Sequence, residues 1–129
     1  MRLTQRDIRE LQLAKSAVAA GLHLLLNDRP LRADRVFLAG AFGNYIRAQS
    51  ARRIGLLPAW ATAPIAAGNT ALRGARMLLL APSRRAAILA RLASVQHVEL
   101  ASDLRFQELF VEFMHLGAET SASGPVPAG

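Results

Sequence analysis

A short apolar run that ends in a glycine turn and passes into a helical pattern constrains the fold of this chain most. Residues 35–39 (RVFLA) have the length and character of a buried strand, and residues 40–44 (GAFGN) form the turn after it. A second run at 63–67 leads into the turn GNT at 68–70, and residues 97–100 alternate as a third strand. Strands that alternate with helices predict an α/β fold with a small, mostly parallel sheet. About three strands flanked by helices are few for an independent sheet, so we predict part of a larger lobe.

Helical patterns precede and separate these strands. Thr4 and Asp7 have the spacing of a capping box, and a helix of about 24 residues is predicted to follow, ending before Pro30. Its apolar residues recur at three-, four- or seven-residue spacing: Ile8, Leu11, Val18, Leu22 and Leu25. Further helices are predicted within residues 45–54 and over residues 70–79 and 84–94. Ser102-Asp103 is the expected cap of a last helix. The apolar face predicted for that helix consists of Leu104, Phe106, Leu109, Phe110 and Phe113.

The composition fits one packed domain and excludes several kinds of site. The chain has 129 residues, of which 52% are hydrophobic. No apolar run reaches the roughly 18–20 residues that a membrane crossing needs, and the charged opening segment lacks the apolar block of a signal peptide, so we expect a cytoplasmic protein. With no cysteine, the chain cannot ligate an iron–sulfur cluster or a zinc ion through thiolates. The three histidines show no ligand spacing, and we predict neither a metal site nor a catalytic site.

The basic charge of the chain raises the question of nucleic acid. Net charge is +7, and fifteen of the sixteen basic residues are arginine. Such a surplus can attract nucleic acid or acidic partners. The arginines are scattered along the sequence, without a basic block and without interleaved aromatic residues that stack on bases. Nucleic-acid binding is therefore the weaker alternative, and most arginines are expected on solvated helix faces.

The two glycine turns are the candidate ligand-binding features. Small residues after a buried strand allow a ligand to approach the backbone, and the start of the following helix favours phosphate. Neither turn matches the dinucleotide fingerprint or the P-loop, so ordinary α/β turn chemistry stays an alternative for the first. In the second turn, Gly68 permits a tight bend and Asn69 or Thr70 can cap the helix. Gly74 and Ala75 are expected to let that helix pack closely on a neighbour.

Five segments together extend this interpretation. They are TQRDIRELQLAK at 4–15, LAGAFGNY at 38–45, RIGLLP at 53–58, GNTALRGA at 68–75 and FQELF at 106–110. In this order they resemble the C-terminal part of the actin-like (ASKHA) ATPase domain of reductive activators of corrinoid proteins. The resemblance covers nearly all of residues 3–116. It divides the chain into that domain segment at 1–116 and a flexible small-residue tail at 117–129.

The resemblance implies a specific activity and fold. Those activators use ATP hydrolysis to return inactive cobalt(II) corrinoid to cobalt(I), with an electron from an N-terminal [2Fe-2S] ferredoxin-like domain. Their ATPase part has the actin-like, ribonuclease H-like fold, with ATP or ADP and Mg²⁺ bound between two lobes. By resemblance, the nucleotide-binding residues of this chain are Gly40, Ala41, Phe42, Gly43, Asn44, Gly68 and Asn69. The implied partners are a corrinoid protein and an N-terminal ATPase and ferredoxin part.

Departures from the family pattern limit what the chain is expected to do alone. The phosphate-gripping hairpins and the acidic residues that hold Mg²⁺ lie mostly upstream in the actin-like superfamily and have no counterpart here. Ala41 stands where related proteins often have glycine. We therefore expect a truncated or split half-lobe that is inactive by itself. The alternative is a non-catalytic interaction or dimerisation module derived from that family, including a homodimer.

Overall fold

The computed structural model describes residues 2–27 and 35–117, and its first element is the predicted long helix. Helix α1 spans Gln5–Asn27. The Thr4 backbone N–H donates to Asp7 Oδ2 at 2.8 Å, and the Asp7 N–H donates to Thr4 Oγ1 at 3.2 Å. These reciprocal bonds satisfy N–H groups that have no partner inside the helix. The predicted capping box is thus confirmed. The predicted tail from residue 118 onward lies outside the described residues.

Helix α1 buries only part of its apolar stripe. Leu11, Val18 and Leu25 are exposed, and the side of the helix that carries Lys15 and Ala20 is buried instead. Within the described residues, α1 packs mainly against the last helix, α6 (Leu104–Glu112). The spacing correctly predicts the helix, and Ile8 and Leu22 of the predicted set are half-buried. Periodicity does not say which part of an apolar stripe another element covers.

The sheet has two parallel strands. Strand β1 (Phe37–Ala39) pairs with β2 (Ile65–Gly68) in the register Phe37 to Ile65, with an irregularity between Leu38 and Ala39. Beneath it lies a small core built on Ala51, Leu57 and Ala61, which Val36, Leu38, Ile46 and Leu56 contact. The α/β class and the parallel pairing agree with the sequence prediction.

Two sequence predictions around the sheet need correction. Residues 97–100 form no strand in the described part of the chain, because alternation makes a strand only where another strand accepts its backbone bonds. This segment instead approaches α1: a Cβ built on Gly21 would lie 3.3 Å from Leu100 Cδ1. The first glycine turn is also not a loop, since helix α2 (Gly40–Tyr45) begins directly after β1. The helix predicted within residues 45–54 is confirmed as α3 (Ala48–Arg53).

Side-chain caps begin two of the remaining three helices of the described chain. Helix α4 (Thr70–Leu80) leads through a single 3₁₀ turn, Pro82–Arg84, into α5 (Arg85–Leu92). Asp103 is the N-cap of α6 and accepts from the Arg105 N–H at 2.9 Å. Along the predicted apolar face of α6, Phe113 is 4% exposed at the helix end, whereas Leu104 is 79% exposed. The predicted apolar face is thus buried or half-buried except at Leu104, in the first turn of α6.

Candidate functional site: the glycine edge of the sheet

The carboxyl ends of the two strands bring the two predicted turns together. Ala39 is the register partner of Gly68, so the residue that starts α2 and the residue that ends β2 lie at the same edge. Helix α2 packs against both strands. In open α/β sheets, ligands bind outside the carboxyl ends of the strands. We call this part of the molecule, built by Gly40, Gly68 and Asn69, the glycine edge.

Gly40 and Gly68 have the same backbone geometry. Their φ angles are +81° and +66°, in the left-handed region that side chains other than hydrogen rarely allow. A Cβ added to either residue would meet nothing within 4 Å. Glycine is therefore required here by the backbone, and the space beside each residue is open. Both features suit a ligand that lies close to the main chain.

Gly43 differs from these two residues, although the sequence grouped it with them. It is buried, and a Cβ at this position would lie 2.7 Å from the carbonyl carbon of Leu38 and 2.8 Å from its oxygen. The glycine thus lets α2 lie directly on the backbone of β1. Because Gly43 faces the sheet, the packing of α2 on β1 accounts for the glycine at this position. Contact of Gly43 with a nucleotide stays a prediction.

The other predicted residues lie on the two helices that follow the strands. Ala41 is exposed in the first turn of α2, and the backbones of Phe42 and Asn44 continue that helix. Asn69 caps α4, with its side-chain oxygen accepting from the Leu72 N–H at 3.0 Å. The prediction of an Asn69 cap is confirmed.

Gly74, in the middle of α4, was expected to permit close packing on a neighbour. Nothing lies within 4 Å of a Cβ built at this position. Helix α4 has no buried residue, and its main contact within the described chain is the 3₁₀ turn that follows it. The expected close packing is therefore absent from residues 2–27 and 35–117. If Gly74 has a packing partner, it is not in this part of the molecule.

The segment that carries the glycine edge has charged side chains of one sign. Residues 35–98 contain nine arginines and neither aspartate nor glutamate. A positive surplus of this kind favours phosphate oxygens. Carboxylates that hold Mg²⁺ would have to come from outside residues 35–98. Across the described residues, no three His, Asp or Glu side chains come together as a metal-binding group.

A buried lysine is the main site feature that the sequence reasoning missed. Lys15 on α1 is fully buried, and its Nζ donates to the carbonyl oxygens of Phe113 at 2.7 Å and His115 at 3.1 Å. A Cβ on Gly55, which follows α3, would lie 2.9 Å from Lys15 Cε. The amino group therefore joins α1, the end of α6 and the turn after α3. Its partners are about a hundred residues away, so no local pattern marks it; the one hint is that Lys15 is the only lysine of the chain.

Two carboxyl groups have lowered pKa values, both at helix starts. The backbone and hydroxyl hydrogen bonds from Thr4 lower the pKa of Asp7. The side-chain hydrogen bond from Arg105 lowers the pKa of Asp103, where Arg105 Nη2 lies 2.7 Å from Asp103 Oδ2. Hydrogen bonds to a carboxylate favour its charged form. Both groups stabilise helix termini and lie outside the glycine edge.

Comparison with known proteins links this arrangement to one family. The family model described as the C-terminal domain of RACo, the ASKHA domain, matches residues 1–125. A relative from Eubacterium limosum, corrinoid activation enzyme RamQ, is 37% identical over 113 residues, which are 84% of this chain and 19% of that protein. The [Co(II) methylated amine-specific corrinoid protein] reductase of Methanosarcina barkeri is 28% identical over 114 residues, 84% of this chain and 21% of the relative. The chain thus spans about a fifth of the length of these curated relatives.

No solved structure matches it. In the described part of the chain, no helix has both the length and the apolar character that a membrane span requires.

Proposed function

Since the chain belongs to the family of RACo C-terminal ASKHA domains, we propose that it supplies one wall of the ATP site in an activator of corrinoid proteins. The observation that carries the proposal is the glycine edge, where Gly68 pairs with Ala39, the residue before Gly40, and the space beside both glycines is open. A nucleotide that lies against this edge would contact the backbone, and such a contact does not depend on a particular side chain.

The helix that follows β2 supports this placement. Asn69 fixes the start of α4 by accepting from Leu72, so the first N–H groups of the helix and its partial positive charge point toward the edge. The arginine-rich, acid-free composition of residues 35–98 adds favourable charge for phosphate. The proposed nucleotide is ATP or ADP with Mg²⁺. A corrinoid protein is the proposed partner, because both relatives are named for their action on corrinoids or corrinoid proteins.

The complete site is proposed to need a further part of the ATPase. The phosphate-gripping segments and the Mg²⁺ carboxylates expected of an actin-like ATPase have no counterpart in residues 35–98. Phe37 and Ile65, paired across the sheet, are 55% and 42% exposed. Large apolar groups that lie together on one surface mark a place where another layer packs. The chain is thus proposed to bind nucleotide weakly by itself and tightly when that layer is added.

Calorimetric titration with ATP and ADP in the presence of Mg²⁺ tests the proposal. The chain is titrated alone and after addition of the remainder of the Eubacterium limosum relative. Gly40→Val should remove the affinity because the branched side chain fills the open space. It also strains a residue with φ +81°. Ala41→Leu therefore provides bulk at the exposed neighbouring position without that strain, and Gly74→Val on α4 is the matched control. Binding that is unaffected by both edge variants, in chains with unchanged circular dichroism, would exclude the glycine edge.

An interaction module is the second candidate, favoured by the exposed stripe on α1. Leu11, Val18 and Leu25 recur every seven residues and are 43%, 46% and 38% exposed. A seven-residue spacing keeps the three side chains on nearly one line of the helix and is the spacing of helix–helix seams. Light scattering tests whether the chain dimerises through this stripe. Val18→Glu should then produce monomers, whereas Ala17→Glu, on the exposed adjacent position, should not; a wild-type monomer at all concentrations rules out the homodimer.

A further inference from the structure

Positive and negative charges are segregated along this chain. All nine acidic residues lie outside residues 35–98, whereas nine arginines lie inside that segment. Helix α4 and the turn after it fall wholly within the acid-free segment. The sequence around α4 therefore offers no acidic residue as a counter-charge to its arginines.

One face of α4 combines these arginines with leucines. Leu72, Arg76 and Leu79 have the i, i+4, i+7 spacing that places side chains on one side of a helix. Leu72 is 64% exposed and Leu79 is 72% exposed. Arg73 and Leu80 flank this row, with Leu80 also 72% exposed. We define these five residues as the α4 face.

The arginines of the α4 face are not engaged within the described chain. The ion pairs formed among residues 2–27 and 35–117 involve Arg6, His97 and Arg105, and none includes Arg73 or Arg76. The α4 face is also held in place. The Arg85 side chain donates from Nε to the Leu78 carbonyl at 3.3 Å, which ties the start of α5 to the end of α4. The face is therefore an ordered surface with free guanidinium groups beside apolar side chains.

We propose that the α4 face docks a protein partner that presents carboxylates beside apolar side chains. Arginine is enriched at protein interfaces, where its planar group binds carboxylates and its stem covers apolar surface. The leucines supply contact area that a nucleic-acid backbone would not use. Residues 70–92 contain no aromatic side chain on which bases could stack. The chemistry of this face thus selects an acidic protein surface over RNA or DNA.

The inference is independent of nucleotide binding, and its test uses a defined probe. The probe is a fluorescent amphipathic peptide with glutamate and leucine at i, i+3 and i+4 spacing, measured by anisotropy against the full chain. Its counterpart carries glutamine in place of glutamate, and a single-stranded RNA serves as the nucleic-acid probe. We expect saturable binding of the glutamate peptide that weakens as salt is added, since exposed charges are screened over about 8 Å at physiological ionic strength.

Two double variants locate the binding. The double variant Arg73→Glu with Arg76→Glu should lower the affinity for the glutamate peptide by about tenfold or more, the scale expected when two interface charges are reversed. Arg2→Glu with Arg9→Glu, in exposed residues at the start of the chain, makes the same change in net charge and should have a small effect. The double variant Leu72→Ser with Leu79→Ser tests the apolar part of the α4 face. A purely electrostatic attraction would leave the peptide affinity of this variant unchanged.

Several results would overturn the proposal. They are absence of saturable peptide binding, equal weakening by the two charge variants, equal binding of the glutamine peptide, and tighter binding of the RNA. A further arm tests whether α4 is a seam inside the ATPase. If the remainder of the Eubacterium limosum relative binds the wild-type chain and blocks the peptide, and the Arg73/Arg76 variant loses that assembly, the occupant is the same protein and not a partner.

Discussion

Gly43→Ala is the substitution whose cost the structure defines best. Gly43 lies in α2 with its Cα hydrogens against β1, and the added Cβ would be 2.7 Å from the carbonyl carbon of Leu38. Carbon atoms pack best at about 3.5–4.0 Å, so α2 would have to move from the strand by roughly 0.8 Å. The obstacle is backbone and cannot rotate away. The variant therefore separates a helix from the sheet that it covers.

The magnitude follows from two opposing effects. Overpacking of this kind costs about 1–3 kcal/mol, and replacing glycine by alanine inside a helix returns about 0.5–1 kcal/mol. The free energy of unfolding should therefore fall, by about 1 kcal/mol as the central value and by at most about 2.5 kcal/mol. Gly74→Ala is the matched control, because Gly74 is also helical but has nothing within 4 Å of the added Cβ. It should raise stability by about 0.5–1 kcal/mol.

Urea unfolding followed by circular dichroism measures both variants in one experiment. Gly43→Ala should lower the unfolding midpoint without changing the slope, and Gly74→Ala should raise it. If Gly43→Ala is as stable as the wild-type chain, α2 does not lie on β1 as described. If Gly74→Ala is destabilising, the space beside Gly74 is filled by a segment outside the described residues or by another molecule.

Three further predictions concern α1 and α6. Lys15→Met should lower the free energy of unfolding by about 1–3 kcal/mol in urea titrations, because two buried carbonyls at the end of α6 lose their donor; an unchanged midpoint would contradict this. Phe113→Ala should cost about 3–5 kcal/mol and the half-buried Phe110→Ala clearly less, and the reverse order would show that α6 packs through another face. The side-chain hydrogen bond from Arg105 lowers the pKa of the Asp103 carboxyl group. The charged carboxylate therefore stabilises the folded chain above the ordinary carboxyl pKa of about 3.9, and this stabilisation is lost as the pH falls through the lower pKa of the folded state. As the pH is lowered, helicity should therefore fall less in Asp103→Asn than in the wild-type chain. Identical pH titrations of the two chains would refute this prediction.

The parts of the fold that the sequence predicted well are those determined by a few adjacent residues. The caps at Thr4, Asn69 and Asp103 were each predicted from a side-chain oxygen before a helical pattern, and each accepts the expected backbone N–H. A cap needs no knowledge of the rest of the molecule, because donor and acceptor lie within three residues. The positions of β1 and β2 were predictable for the same reason.

The errors concern contacts between distant segments. In residues 97–100, polar and apolar side chains alternate as they do in a strand. A strand forms, however, only when a neighbouring strand supplies hydrogen bonds. Lys15 was unremarkable in sequence, although its amino group reaches carbonyls at the far end of the chain. At the candidate site, the sequence grouped Gly40, Gly43 and Gly68 as small residues. It could not distinguish the two glycines that open toward solvent from the one that a strand requires.

The exposed sheet pair bears directly on how the proposed nucleotide site would be completed. Phe37 and Ile65 begin their strands, and the glycine edge follows the last residues of the same strands. At about 3.3 Å per residue, the three residues of β1 place the pair only about 10 Å from Gly40. A layer that covers Phe37 and Ile65 would therefore reach the glycine edge with its own side chains. Burial of the apolar pair and completion of the nucleotide site would then be one binding event, so Phe37→Ser should weaken assembly with the remainder of the ATPase and ATP affinity together.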